Sequence, residues 1–253
     1  MPNPVRVASL TALAMLAFAG NSLLCRVALR DTAIDAATFT SIRLASGALV
    51  LAAIMVGRRS HPLAAGTWRA AAMLFAYAAF FFFAYRQLSA ATGERLRALQ
   101  LLGLLVALAG LVGLLLPGLA APPIEGAVFM LGAGIAWGVY SLLGRGVQDP
   151  SGATAGNFLR ALPFAAILSL ATTAHASVDE AGVAYAVLSG AIASGLGYVL
   201  WYAALPALRA ASAATIQLSV PVLAALGGVV LLAEPITTRL LISSAAILGA
   251  SRW

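Results

Sequence analysis

The chain has 253 residues, 62% of them hydrophobic and 9% charged, with a mean hydropathy of +0.99; a soluble domain carries about 25% charged residues, so a water-soluble enzyme is excluded. The net charge of +7 comes from arginine alone, since the sequence has no lysine, and Arg58-Arg59 is its only adjacent basic pair. Arginines scattered singly between apolar runs point to membrane orientation rather than to a nucleic-acid partner.

In chain order, apolar runs bounded by Arg, Pro, Gly or acidic clusters predict helices over residues 5–29, 35–57, 67–88, 97–116, 124–143, 152–173, 181–204, 211–233 and 237–250. The segment 1–20, with Arg6 ahead of an apolar stretch, has the make-up of a signal peptide. It continues through Asn21 to Ala28 at spanning length and reads as a first, uncleaved helix. The runs are continuously apolar over about 20 residues, whereas barrel strands alternate over about 10. The fold class is an all-α polytopic membrane protein. One cysteine, Cys25, allows no intrachain disulfide and no cysteine metal cluster.

The loop between the second and third helices carries Arg58, Arg59, His61 and Arg69 and should be cytoplasmic, which places the N-terminus inside. The 174–180 loop, with His175, Asp179 and Glu180 but no arginine, should face outward. Nine helices do not satisfy this pattern. Crossing three of them before Glu94-Arg95-Leu96-Arg97 puts that arginine-rich turn outside and inverts everything after it.

Comparing the chain with itself supplies a reason. Ser22-Leu23-Leu24-Cys25-Arg26 matches Ser141-Leu142-Leu143-Gly144-Arg145 at an offset of 119, Arg43 matches Arg160 at 117, and Ala84-Tyr85 with Leu88 matches Trp201-Tyr202 with Leu205 at 117. Glu94, opening one Leu/Gly run, then pairs with Glu234 at 140. The increase of 23 residues is one spanning helix. The second half has a helix at 211–233 where the first half has only Ser89 to Gly93, so a fourth helix belongs between Gly93 and Glu94. The last run is also short, which predicts a smaller omission near Ala250. Restoring the helix gives two five-helix halves, residues 1–120 and 121–253, and an odd number of helices per half inverts one against the other.

These features resemble the EamA-type permeases of the drug/metabolite transporter superfamily. The resemblance rests on Asn21-Ser22, Arg43, the Tyr85-to-Leu88 end of helix three, Gly93 and Glu94, and Gln217 to Pro221 followed by Glu234-Pro235. It implies a ten-helix carrier of two inverted five-helix repeats, with the absent helix helping to line the central cavity. Within the family the chain is most similar to bacterial inner-membrane exporters of amino acids and related metabolites, aromatic amino acids included. Another neutral metabolite or a drug, with or without proton coupling, is the alternative cargo. The implied partners are a small-molecule substrate and the lipid bilayer; the carrier is expected to act as a monomer, with a dimer as the alternative, and to need no cofactor.

A carrier of this kind needs polar or aromatic side chains near the bilayer midplane. Arg43 lies about 12 Å into the second helix at 1.5 Å per residue, and Arg160 holds the equivalent place in the other half. Either clamps a substrate carboxylate or closes a gate, or else it snorkels or caps backbone carbonyls. Tyr77, Phe81 and Tyr85 are spaced by four, as are Trp137 and Ser141, with Tyr140 between them; Tyr198, Trp201 and Tyr202 are spaced three and four. Each set shares a helix face. Tyr and Trp suit a cavity for amphipathic solutes, and equally an interfacial belt, to which Trp68 and Trp253 fit better. Asn21, Ser22, Asn157, Gln217 and Ser219 are candidates to hydrogen-bond a substrate or to bond between helices. Pro163 and Pro221 are candidate kinks and hinges.

Every acidic residue and both histidines lie in loops or at helix ends. Proton-driven carriers generally use an intramembrane Asp, Glu or His, so gradient-driven movement is expected over tight proton coupling. The Ser/His or paired-Asp sets of an intramembrane protease are missing, as are clustered metal ligands and a phosphate-binding loop. A receptor would have no evident use for inverted halves. Two arginines are too few for a nucleotide or sugar-phosphate cargo.

Overall fold

The computed structural model describes residues 3–91, 124–144, 147–208, 213, 216–217 and 219–233. The described residues form helices and connecting turns: α1 Pro4–Asp31, α2 Ala36–Gly57, α3 Trp68–Ala91, α4 Ile124–Leu143, α5 Pro150–Ala171, α6 Glu180–Ala207 and α7 Ser219–Leu232. The α6 span is composite, with a π-helical segment Ser189–Leu196 between α-helical Glu180–Leu188 and Gly197–Ala204. Five of the seven (α1, α2, α4, α5 and α6) are long and apolar enough to cross a membrane. The predicted helices at 97–116 and 237–250, the proposed break between Gly93 and Glu94, and Trp253 lie outside the described residues.

Helix starts coincide with side chains that accept backbone N–H groups. Asn3 and Asp149 cap α1 and α5, each followed by a proline whose missing N–H costs nothing there. Asp35 accepts from the N–H groups of Ala37 (2.9 Å) and Thr38 (3.0 Å) at the start of α2, and Asp179 accepts from Gly182 at 3.3 Å. The second helix ends in a left-handed turn at Arg59 (φ 56°), with the Ser60 N–H returning to the Met55 carbonyl. No interruption occurs at Pro163, and α5 continues to Ala171. The irregular stretch is instead the proline-free π segment, where the Gly197 N–H reaches back five residues to the Ile192 carbonyl.

The core joins α1 through α6 around Leu44, Leu51, Leu74, Tyr140, Phe158 and Tyr198, all buried. Helices α2 and α5 pack together, with Ser41 Oγ 2.7 Å from Ser169 Oγ and donating to the Ala165 carbonyl. Their directions follow from what meets at each end. The start of α2 at Asp35 bonds Ser177, beyond the end of α5. The loop after α2 instead bonds the first half of α5: the Thr67 N–H donates to Asn157 Oδ1 at 2.9 Å, and Arg160 donates to the carbonyls of Ala65 (2.7 Å) and Leu63 (3.2 Å). Helices α2 and α5 therefore run in opposite directions.

Gly66, at φ +86°, is required in that loop because L side chains rarely adopt this backbone. A Cβ there would also stand 2.8 Å from both the Ala153 carbonyl and Asn157 Oδ1. Gly190 in the π segment lets α6 approach α2, since a Cβ would collide with the Arg43 carbonyl and the Ser46 hydroxyl.

Candidate functional site

Arg43 projects from mid-span of α2 and is 3% exposed. Its Nε donates to Ser194 Oγ at 3.1 Å, on the π segment. Its guanidinium carbon stands 5.9 Å from the Tyr77 ring centroid, within cation–π range. Its Nη1 is buried with no hydrogen-bond partner among the described residues. A guanidinium offers five donors, and one of them aimed into the bundle without an acceptor is the most conspicuous polar feature of the interior.

From Tyr77 a chain of rings runs across the bundle. Tyr77 lies 5.0 Å from Trp137 and 5.5 Å from Phe81, Trp137 lies 5.8 Å from Tyr140 and 5.7 Å from Tyr198, and Tyr198 stacks on Tyr202 at 6.2 Å. Helices α3, α4 and α6 thus bring six of the predicted aromatics together. Phe18 and Phe158 complete the cluster, each within 5.7 Å of Tyr198. Neither was a sequence candidate; Phe18 lies one turn from Ser22 and Phe158 follows Asn157, and those polar residues were the available signal.

A cavity of about 220 Å³ opens at one end of this cluster, lined among others by Thr67, Tyr140, Thr154, Asn157 and Tyr202. The Tyr140 hydroxyl is buried without a hydrogen-bond partner among the described residues. A larger cleft of about 780 Å³ lies between α1 and α7, lined by apolar residues such as Val7, Met15, Ile216 and Leu223. It meets neither Arg43 nor the ring cluster. The smaller cavity, which reaches the rings at Tyr140 and Tyr202 and carries Thr154 and Asn157 in its lining, is the better candidate for solute entry.

The remaining candidates separate. Asn21 is buried and accepts from Ser189 Oγ at 2.7 Å, joining α1 to the π segment. Trp201 is buried against Phe18 at 6.3 Å. Arg160 is spent on the loop carbonyls, and Asn157 on the Thr67 N–H while also lining the cavity. Ser141 turns outward and bonds the Trp137 carbonyl of its own helix. Gln217 is half-buried. The side chains of Tyr85 and Pro221 lie outside the described residues, though both positions are helical. Ser189 and Ser194, neither of them a candidate from the sequence, supply the polar partners of Asn21 and Arg43.

The comparisons with known proteins agree with this architecture. The EamA-like transporter family matches residues 124–252, half of the chain. An uncharacterized protein of Pseudomonas aeruginosa is 56% identical over 265 residues, taking in 96% of this chain and 92% of its own. The threonine/homoserine exporter RhtA of Salmonella typhimurium is 33% identical over 134 residues, 51% of this chain and 44% of the exporter; RhtA of Escherichia coli K12 is 34% identical over the same span. A solved crystal structure shares the fold at a TM-score of 0.67, with 21% identity and 96% of both chains covered. The chain belongs to the EamA-like transporter family. It is a membrane transporter of the drug/metabolite superfamily. The Pseudomonas alignment is 265 positions long yet takes in 96% of these 253 residues, about 243, so some 22 positions of that relative have no counterpart here.

Proposed function

We propose that the protein is a secondary carrier that exports amino acids, aromatic ones included, across the bacterial inner membrane by alternating access, and that Arg43 anchors the substrate carboxylate. The observation that carries this reading is the buried, unpartnered Nη1 of Arg43 beside the Tyr77–Trp137–Tyr198 rings. An arginine at mid-membrane costs about 2.5–3.5 kcal/mol on insertion scales. A carboxylate bound there returns part of that cost through a charge-assisted bond, while the rings accept the apolar part of the solute. Similarity to a threonine/homoserine exporter supports the amino-acid class.

The plan behind this reading is ten helices in two inverted halves, 1–120 and 121–253. The opposed directions of α2 and α5 and the 22 unmatched positions of the relative support it. The N-terminus is assigned to the cytoplasm, because Arg58 and Arg59 occupy the loop on that side and Asp179 and Glu180 the opposite one. Transport is driven by the substrate gradient: the described acidic residues lie at helix ends, and His61 and His175 lie off the spans.

The test is efflux of labelled threonine, homoserine, phenylalanine and tyrosine from proteoliposomes. Arg43→Gln should cut flux about 10- to 100-fold, as loss of a charged hydrogen bond of about 1.5–3 kcal/mol implies. Amines lacking the carboxylate should fail to compete. Equal competition by such amines overturns the anchor; flux absent without an imposed pH gradient overturns gradient-driven movement.

A further inference from the structure

The ring path from Arg43 ends on a pocket whose chemistry differs from that of the anchor. Among the described residues no charged side chain lines this cavity of about 220 Å³. Tyr140 belongs to both features. Its ring stands 5.8 Å from Trp137 and 6.3 Å from Tyr198, while its hydroxyl sits among Thr154, Asn157 and Tyr202 of the cavity lining. The residue is 2% exposed, and its hydroxyl is in hydrogen-bond geometry with none of the three. A buried hydroxyl left unpaired is a cost that a bound group would remove.

The commitments of its neighbours define that group. The Thr154 hydroxyl donates its one hydrogen to the Pro150 carbonyl at 2.8 Å, which leaves its oxygen able to accept. Asn157 spends Oδ1 on the Thr67 N–H at 2.9 Å, which leaves its amide NH2 able to donate. The hydroxyls of Tyr140 and Tyr202 can do either. A carboxylate only accepts and an ammonium only donates, so each would meet half of this set and would lose its hydration with no opposite described charge beside it. A hydroxyl both donates and accepts, and matches the whole set. The volume exceeds the share of one water, about 30 Å³, so that hydroxyl can arrive on a carbon skeleton.

We propose that this cavity is a hydroxyl-selecting subsite, separate from the carboxylate anchor, which takes the neutral hydroxyl-bearing side chain of a solute on its way to Arg43, with Tyr140 setting the preference. Thr67 and the first turns of α5 line it, so it lies at the end of the bundle that carries the Arg58–Arg59 loop, where an exporter loads. The loading direction rests on the export reading above. The hydroxyl preference does not, and probes without a carboxylate let the two fail separately.

The probes are radiolabelled N-acetyltyrosine amide and N-acetylphenylalanine amide, uncharged solutes that differ by one hydroxyl, equilibrated by dialysis against the full-length protein in detergent micelles and against empty micelles. The tyrosine amide should bind about tenfold more tightly or better, well within what a site that pairs a substrate hydroxyl achieves. Tyr140→Phe should bring the ratio close to one by weakening the tyrosine amide. Because the hydroxyl it removes is unbonded, the thermal midpoint should not fall. A ratio near one in the wild type, as for a cavity that holds only water, would overturn the proposal. So would an undiminished ratio in Tyr140→Phe, or an equal weakening of both probes there with a lower midpoint, which would make Tyr140 a packing residue.

Discussion

Asp35 and Ser177 hold each other by two hydrogen bonds of opposite sense: the Ser177 N–H donates to the Asp35 carboxylate at 2.9 Å, and the Asp35 N–H donates to the Ser177 carbonyl at 3.0 Å. The Ser177 hydroxyl adds a bond to the Ala33 carbonyl. This latch ties the start of α2, in one half, to the loop after α5, in the other. At the opposite end the connection is cationic, through Arg160 and the loop carbonyls.

The latch should weaken in acid. Partial burial works to raise the Asp35 carboxyl, but bonds from Ser177, Thr38 and Ala37 overcome it and hold the group below the usual aspartate range. A lowered folded value means the stabilisation is fully present above the unfolded value, about 3.9, and is lost as pH falls through the folded one. Asp35→Ala should cost about 1 kcal/mol at pH 7, as loss of a helix cap does. Thermal unfolding in detergent should show the gap between variant and wild type narrowing below pH 4.

Asn157→Ala should loosen the start of α3. Asn157 holds the Thr67 N–H, and Thr67 in turn accepts from the Ala70 N–H through its hydroxyl (3.1 Å) and from Ala71 through its carbonyl (2.9 Å). Leaving the Thr67 donor unsatisfied costs about 1–3 kcal/mol. Amide exchange at Ala70 and Ala71 should accelerate at least fivefold, with exchange in α2 unchanged.

Trp137→Ala should reduce efflux of phenylalanine and tyrosine at least tenfold and that of threonine less, because Trp137 is the ring that joins Tyr77 to Tyr198. Tyr202→Phe keeps the stack and removes one hydroxyl from the cavity lining, so KM should rise with little change in maximal rate. Unchanged selectivity in both variants would remove the aromatic cargo from the reading.

Gly190→Leu should be the most damaging of these changes. Even a Cβ meets the backbone of α2 there, and overpacking costs about 1–3 kcal/mol. A fall in thermal midpoint is expected together with loss of flux, since the same displacement moves Ser194 away from Arg43.

The spans were legible in the sequence because their ends carry chemistry of their own: Asn3-Pro4, Asp35, Asp149-Pro150 and Asp179 begin helices close to where the apolar runs begin. The π segment was not, since nothing in Ser189–Leu196 separates a five-residue return from a four-residue one. Prolines drew attention to α5, where the helix runs through Pro163 unbroken. Tyr77, Trp137, Tyr140, Tyr198 and Tyr202 meet in the interior, but Ser141, four residues beyond Trp137, lies on the outer surface, while Tyr202 at the same spacing from Tyr198 stays in the stack; spacing names a shared face and not the neighbour that covers it. The repeat aligned Arg43 with Arg160 without distinguishing them. Their different duties come from what arrives opposite each: a serine for Arg43, a loop with open carbonyls for Arg160.

The π segment also sets the phase of everything beyond it. A residue in an α-helix turns about 100° relative to the one before, so the extra residue accommodated between Ser189 and Leu196 determines which way Tyr198 and Tyr202 look. Forcing the full-length stretch into α geometry would swing both tyrosines roughly a quarter-turn and sever the ring path from Arg43 to the cavity. Deleting one alanine, Ala191 or Ala193, would instead remove the surplus residue together with the five-residue return and keep both tyrosines facing the rings. The pathway is thus encoded in the match between a residue count and a local helix geometry, and neither can change without the other.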